Sequence, residues 1–208
     1  MKAHDAWIAL GPDVPSVQLD DAPGDGEPEP GAADGRGARG VGSISLDTVP
    51  LSVKVTRSDL MFWGTKDINI PPQSTFDTGV KYQPALAGTK TFALTTHQHH
   101  LGTRMQVWYG AGEVGASDMV ADAKSWSDPP LEIFDPPLDF PVGDGGAFST
   151  KGLAYQCKYL NPTPIPVTFG EGFNDEMCFL WQYYFPSRGF QICADGACKT
   201  NGSAPSNP

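Results

Sequence analysis

Short apolar runs separated by turns dominate the hydrophobic pattern of the chain from residue 44 onward. Residues 52–56 alternate between apolar and polar positions, as a half-buried strand does. Residues 60–63 form an apolar continuation, and residues 68–70 run into a proline pair, which favours a strand that stops at a turn. The further candidate strands are residues 91–101, 104–109, 131–134, 151–159, 176–185 and 190–193.

These elements predict an all-β fold. Many short strands without a convincing amphipathic helix are typical of an antiparallel β-sandwich. Residues 176–185 are apolar enough for a central strand. The turn at Gly102 and Thr103 should bring residues 104–109 back as the neighbour of the strand before them. Proline pairs bracket residues 131–134, so we expect the middle of the chain to be rich in loops.

Composition divides the chain into three segments. Residues 1–42 hold repeated Pro, Gly and Asp and predict a disordered linker. Residues 43–198 then form the β domain, and residues 199–208 form a flexible polar tail. A length of 208 residues allows one such domain with a well-formed core.

Charge and hydropathy exclude two classes of partner. The formal net charge of −10 argues against nucleic acid, because phosphate binding needs a basic surface. No run of about 18 apolar residues exists, so we expect no membrane span. The first ten residues lack the apolar stretch of a signal peptide. The chain is therefore either cytoplasmic or a fragment of a longer secreted protein.

Four cysteines favour the secreted alternative. Cys157, Cys178, Cys193 and Cys198 are even in number and cluster in the last quarter. Cys193 with Cys198 would close a small hairpin and would leave Cys157 with Cys178. A four-cysteine zinc site is the alternative, although neither pair has the close spacing usual for such sites. Disulfides imply an oxidising, extracellular or periplasmic compartment.

Three of the four histidines lie together at the end of one apolar stretch. If that stretch is a strand, His97 and His99 project from one face and His100 from the other. The alternative is that these are ordinary histidines with hydrogen-bond partners. Two neutral imidazoles on a hydrophobic strand need partners to balance their burial, and two on one face can chelate a metal. The pattern therefore favours a metal site.

Two stretches taken together resemble the C-terminal catalytic domain of the type II copper, ascorbate-dependent monooxygenases. The first is His-Gln-His-His-Leu-Gly at residues 97–102, and the second is Asp-Glu-Met-Cys at residues 175–178. Further landmarks of the family pattern match at residues 140–144, 155–161 and 183–186. The resemblance covers roughly residues 58 to 190, and several motifs in order are more specific than any one of them.

The resemblance implies a jelly-roll β-sandwich that holds one copper ion through His97, His99 and Met177. It also implies dioxygen and a small molecule as substrates, C–H hydroxylation and ascorbate as the reductant. A thioether suits Cu(I), whereas zinc would recruit a third histidine or a carboxylate. The pattern further implies a disulfide from Cys157 to Cys178, which would hold the neighbouring Met177 in place. Met105 is the competing thioether, but it matches no ligand of the family.

The chain departs from the family pattern in two respects. Members pair this domain with an N-terminal domain whose three-histidine copper supplies electrons. Outside the central cluster this chain has only His4, so it holds the oxygen-activating half and would need a separate electron-donating copper domain. The positions that clamp a carboxylate in peptide-hydroxylating members hold Thr95, Phe179 and Trp181, which implies a less polar substrate that is not a peptidylglycine. The alternative is that the two aromatic side chains face inward and pack in the core.

Two other classes of function are also compatible with the sequence. One is a non-catalytic module that binds Cu(I), and the other is a β-sandwich interaction domain. The presence of all three predicted ligands argues against the second of these.

Overall fold

A computed structural model describes residues 52–112, 115, 118–143 and 146–200, and the elements it describes are all β-strands. In chain order they are β1 (Asp59–Thr65), β2 (Asn69–Ile70), β3 (Ser74–Asp77), β4 (Lys81–Leu86), β5 (Thr89–His97), β6 (Gly102–Gly110), β7 (Met119–Ala123), β8 (Leu131–Phe140), β9 (Phe148–Asn161), β10 (Val167–Thr168), β11 (Cys178–Phe185), β12 (Gln191–Ala194) and β13 (Ala197–Thr200).

The strands form two main sheets that enclose one core. The first sheet has six strands in the order β13-β12-β1-β11-β5-β8. The second is built on β9, which pairs with β3, β4 and β6, while β7 pairs with the far side of β6. Every pairing in these sheets is antiparallel except that of β1 with β12. The prediction of an all-β, antiparallel sandwich is confirmed.

Strand β11 lies at the centre of the six-stranded sheet, as its apolar sequence predicts. Leu180, Gln182 and Tyr184 alternate along it and are at most 1% exposed, so they face the core. The residues between them face outward, and Trp181 is one of these. Burial of such large side chains on the inner faces of both sheets is the main source of stability for a sandwich.

Two disulfides are present, and each joins a different pair of elements. Cys157 of β9 is bonded to Cys178 of β11, which links the two sheets through the core. Cys193 is bonded to Cys198, its direct partner in the β12–β13 hairpin. The hairpin turns through Asp195 and Gly196, which both have positive φ, as a tight two-residue hairpin turn requires.

Two of the predicted strands are wrong in their pairing. Residues 52–56 form no strand, because Val53 and Val55 are each 47% exposed and nothing in the described part of the chain pairs with them. Residues 104–109 belong to β6, which does not return beside β5 but lies in the other sheet against β9. The chain changes sheets here because it turns sharply before Gly102, where the Gly102 amide donates to the His99 carbonyl.

The prolines of the middle segment lie inside a strand rather than in a loop. Strand β8 runs through Pro136 and Pro137 because it is the edge strand of its sheet, where a missing N–H costs no ladder bond. The pairing of β8 with β5 shifts register between Thr91 and Ala93, and this irregularity accommodates the proline pair.

The described residues from Thr56 onward form one compact unit. The predicted linker, residues 1–42, lies outside the described residues, as do residues 201–208 of the predicted tail. Strand β13 continues to Thr200. Across the described ranges, no helix has the length and apolarity needed to cross a bilayer.

Candidate metal centre

His97 is the last residue of β5 and faces outward from the six-stranded sheet beside β11. Its ring stacks on that of Trp181, with centroids 5.4 Å apart and planes at 23°. The His99 ring meets it edge-on at 5.1 Å. Burial lowers the pKa of His97 below its usual value, and the charge of His99 lowers it further. A neutral imidazole, the form that binds metals, is therefore favoured at neutral pH.

His99 lies beyond the end of β5, in the turn that leads to Gly102. The prediction that one strand carries all three histidines is therefore wrong, although His97 and His99 do lie together. The His99 Nδ1 is 2.8 Å from the carbonyl oxygen of Asp175. A carbonyl can only accept, so Nδ1 carries the proton and donates it. The lone pair of Nε2 is left free, as a metal ligand requires.

Glu176 holds the histidine turn against the segment that precedes β11. Its side chain is fully buried, and its two oxygens accept the backbone N–H groups of His99 at 3.0 Å and of Leu101 at 2.7 Å. Burial raises the pKa of Glu176, while these two N–H donors oppose that shift. The carboxyl group thus fixes the backbone on both sides of His100.

Met177 is held from two sides at the start of β11. Its carbonyl oxygen accepts a hydrogen bond of 2.8 Å from the Tyr159 hydroxyl, and its neighbour Cys178 is bonded to Cys157. The register pairs His97 with Phe179, two residues after Met177. The half-buried Met177 and His97 line the same cavity.

The competing candidates are engaged elsewhere. The His100 ring stacks on Phe173 at 5.0 Å, and its Nδ1 lies 2.9 Å from the Phe173 carbonyl oxygen. Met105 is fully buried in the core within β6. All four cysteines are in disulfides, so the four-cysteine zinc alternative is wrong.

Two cavities meet at His97 and Glu171. One, of about 540 Å³, is bounded by the outer face of the six-stranded sheet and includes Phe179 and Trp181. The other, of about 460 Å³, includes both His97 and His99. Thr95, the third expected substrate-side residue, lies beside Trp181 in the sheet but lines neither cavity.

The donor atoms near His97 are imidazole nitrogens and a thioether sulfur. No group of three His, Cys, Asp or Glu side chains that could hold a metal occurs in the described ranges. A three-donor site at the histidine pair would therefore need another type of side chain, and Met177, which lines a cavity with His97, has a thioether. Two imidazoles with one thioether suit copper better than zinc or a hard cation.

Sequence reasoning missed several of these contacts. Glu176 entered only as part of a matched motif, although a carboxylate beside an apolar strand is a signal for a buried acceptor. Glu171 and Lys66, which line the larger cavity, carried no signal because they lie in exposed segments far from the histidines in sequence. The Asp175 carbonyl is a backbone group, which no sequence motif marks.

Comparison with known proteins agrees with the motifs. The model of the family described as "Copper type II ascorbate-dependent monooxygenase, C-terminal domain" matches residues 57–203. No curated protein matches the chain. The match covers the whole sandwich from β1 to β13, including both histidines, Met177 and the two disulfides. The chain therefore belongs to the type II copper, ascorbate-dependent monooxygenase family and carries its C-terminal domain.

Proposed function

We propose that His97, His99 and Met177 bind one copper ion, and that the domain uses it to activate dioxygen for C–H hydroxylation of a small molecule. The hydrogen bond from His99 Nδ1 to the Asp175 carbonyl carries this proposal, because it leaves the His99 Nε2 lone pair free beside His97. Copper, when bound, would supply one-electron redox chemistry and an affinity for dioxygen.

The residues around the donors keep them in position. The buried Glu176 fixes the turn that carries His99, and Tyr159 fixes the backbone of Met177. Trp181 covers one face of the His97 ring. Restraint of this kind orients ligands and limits the rearrangement that a change of metal oxidation state would cause.

The substrate side of the site is apolar. Phe179 and Trp181 line the cavity next to His97, and neither can pair with a carboxylate. A peptide with a C-terminal glycine would lose its charge-assisted contact at these positions. We therefore propose a substrate that is not a peptidylglycine, with ascorbate or a similar donor as the reductant.

The proposed setting is an extracellular or periplasmic protein, because both disulfides need an oxidising compartment. Residues 43–198 would be the copper domain, between a linker (1–42) and a tail (199–208). Hydroxylation takes two electrons, so a separate electron-donating copper domain would have to act with this one. Without that partner, the same three ligands would make a non-catalytic Cu(I)-binding module.

Copper binding by the full chain tests the proposed site. We expect the native protein to bind one copper ion in either oxidation state, and His97→Ala to bind neither tightly. Met177→Ala should lower the Cu(I) affinity by about 10-fold or more and the Cu(II) affinity less, because a thioether prefers Cu(I). Competition with a chromophoric chelator, under anaerobic conditions for Cu(I), measures both affinities.

Two residues of the same types outside the proposed site provide matched controls. His100→Ala removes an imidazole that is engaged with Phe173, and Met119→Ala removes a half-buried thioether in β7. Both should keep the native affinities. The proposal fails if either control loses as much copper affinity as its partner variant.

A further inference from the structure

A groove crosses the outer face of the six-stranded sheet from His97 to the β12–β13 hairpin. Its floor consists of two rows of residues that face one another across neighbouring strands. One row is His97, Phe179, Gly64, Ala194 and Ala197. The next row is Thr95, Trp181, Phe62, Ile192 and Lys199.

The side chains of the first row project little above the sheet, because three of its five residues are glycine or alanine. A Cβ at Gly64 would lie 2.4 Å from the Phe179 ring, so the glycine lets that ring lie flat across β1. Ala194 and Ala197 keep the groove open beyond it. The row therefore forms a channel that leads away from His97.

The second row forms an aromatic wall beside this channel. Trp181 stacks on Phe62 with centroids 5.1 Å apart, and Trp181 also stacks on His97. Phe169 packs against Phe179 at 6.2 Å on the other side. The enclosed space is the cavity of about 540 Å³. Its lining is suited to an apolar or aromatic ligand.

One lysine lies at the end of the groove away from His97, and another lies beside the middle of the groove. Lys199 is four strands from His97, and Lys66 follows the end of β1, two strands away. The Lys66 ammonium lies 5.6 Å from the Phe169 ring centre, and its backbone N–H donates to the Asp195 carboxylate. Neither lysine forms an ion pair through its ammonium group within the described part of the chain. Two unpaired cations at one cavity are unexpected in a chain with 24 acidic and 14 basic residues.

Glu171 gives the groove a polarity. It lines the cavity where that cavity meets His97, so negative charge is disfavoured there and favoured at the lysines. Strands in a sheet lie about 4.8 Å apart, so His97 and Lys199 are separated by about 19 Å. A ligand that uses both ends must be elongated.

We propose that this groove binds an elongated, largely apolar small molecule with its apolar end at His97 and an anionic group at Lys66 and Lys199. The ligand is a substrate only if the proposed copper function holds, since only then is its apolar end the site of hydroxylation. Binding itself depends on the groove and not on the metal.

A matched pair of fluorescent probes tests this without copper. We expect the full chain to bind a dansyl-labelled undecanoate, with fluorescence enhancement as the dansyl group enters the aromatic end. Lys66→Gln and Lys199→Gln should each weaken its binding by about 3-fold, and the double variant by about 10-fold. Binding of the uncharged methyl ester should change by less than 2-fold in these variants.

Two further variants complete the test. Lys90→Gln removes a lysine that pairs with Asp139 away from the groove and should leave both probes unaffected. Ala197→Trp fills the channel and should abolish binding of both. The proposal is overturned if the native chain binds neither probe, if both lysine variants leave the carboxylate unaffected, or if Ala197→Trp binds like the native chain. A failure of copper binding would leave these results intact, so the two proposals are tested separately.

Discussion

At the scale of single residues, Glu176 is the side chain on which the candidate metal centre depends most. It contacts no proposed ligand atom, yet its two oxygens hold the backbone N–H groups of His99 and Leu101 in a fully buried position. A buried donor that loses its acceptor costs about 1–3 kcal/mol. The residue therefore couples the stability of the domain to the position of His99.

Glu176→Gln tests this coupling. The amide has one acceptor oxygen, so one backbone N–H loses its partner and faces an N–H₂ group instead. We expect the free energy of unfolding to fall by about 1–3 kcal/mol and copper affinity to fall by about 10-fold. Urea denaturation and chelator competition measure the two effects.

Glu132→Gln is the matched control, since Glu132 is half-buried in β8 and its carboxyl group makes no hydrogen bond in the described part of the chain. It should change the unfolding free energy by less than about 0.5 kcal/mol. Equal stability of the two variants would show that Glu176 does not hold the turn.

The candidate site could be predicted from the sequence only in part. The residue types and their spacing indicated His97 and His99, whereas Met177 was implied by the resemblance to the copper monooxygenases. Strand alternation was the wrong reason for His99, which lies in a turn fixed by Glu176 and by the Asp175 carbonyl. These contacts join segments about 76 residues apart, and no local pattern encodes them.

At the scale of elements, the two disulfides have different roles. Cys157–Cys178 joins β9 to β11 across the core and closes a separation of 21 residues. Cys193–Cys198 joins neighbouring strands of one hairpin and closes a separation of 5. Because loop-closure entropy rises with loop length, the first bond should stabilise the fold more than the second.

Paired substitutions test this difference. Cys157→Ala with Cys178→Ala should lower the free energy of unfolding by about 3 kcal/mol, with an added cost because both side chains are fully buried. Cys193→Ala with Cys198→Ala should cost about 2 kcal/mol or less. Chemical denaturation of both variants beside the native chain gives the values, and a larger loss in the hairpin variant would contradict the account.

The elements also show where pattern reasoning succeeds. Strands β1, β2 and β11 match their apolar runs, because each is paired or packed where the pattern requires burial. Residues 52–56 have the same alternation but no partner strand in the described part of the chain. Strand β8 is the opposite case, because its sequence contains a proline pair and yet forms a strand. The prolines are compatible with a strand there because β8 lies at the edge of its sheet.

At the scale of the whole molecule, the proposed site lies on the outer face of one sheet rather than in the core. The sandwich supplies rigidity through β9, whose Cys157 and Tyr159 reach across to hold the start of β11. The groove beside His97 needs five strands from distant parts of the chain in register. The all-β class followed from short apolar runs, whereas this groove followed only from the strand order.

The central claim is that His97, His99 and Met177 together bind copper. The most direct test is copper K-edge X-ray absorption on the Cu(I)-loaded chain, with Met177→Ala and Met119→Ala measured beside it. We expect imidazole scattering and one sulfur ligand in the native protein and in Met119→Ala, and loss of the sulfur alone in Met177→Ala. Sulfur scattering that is absent from the native spectrum, or that persists in Met177→Ala, would contradict it.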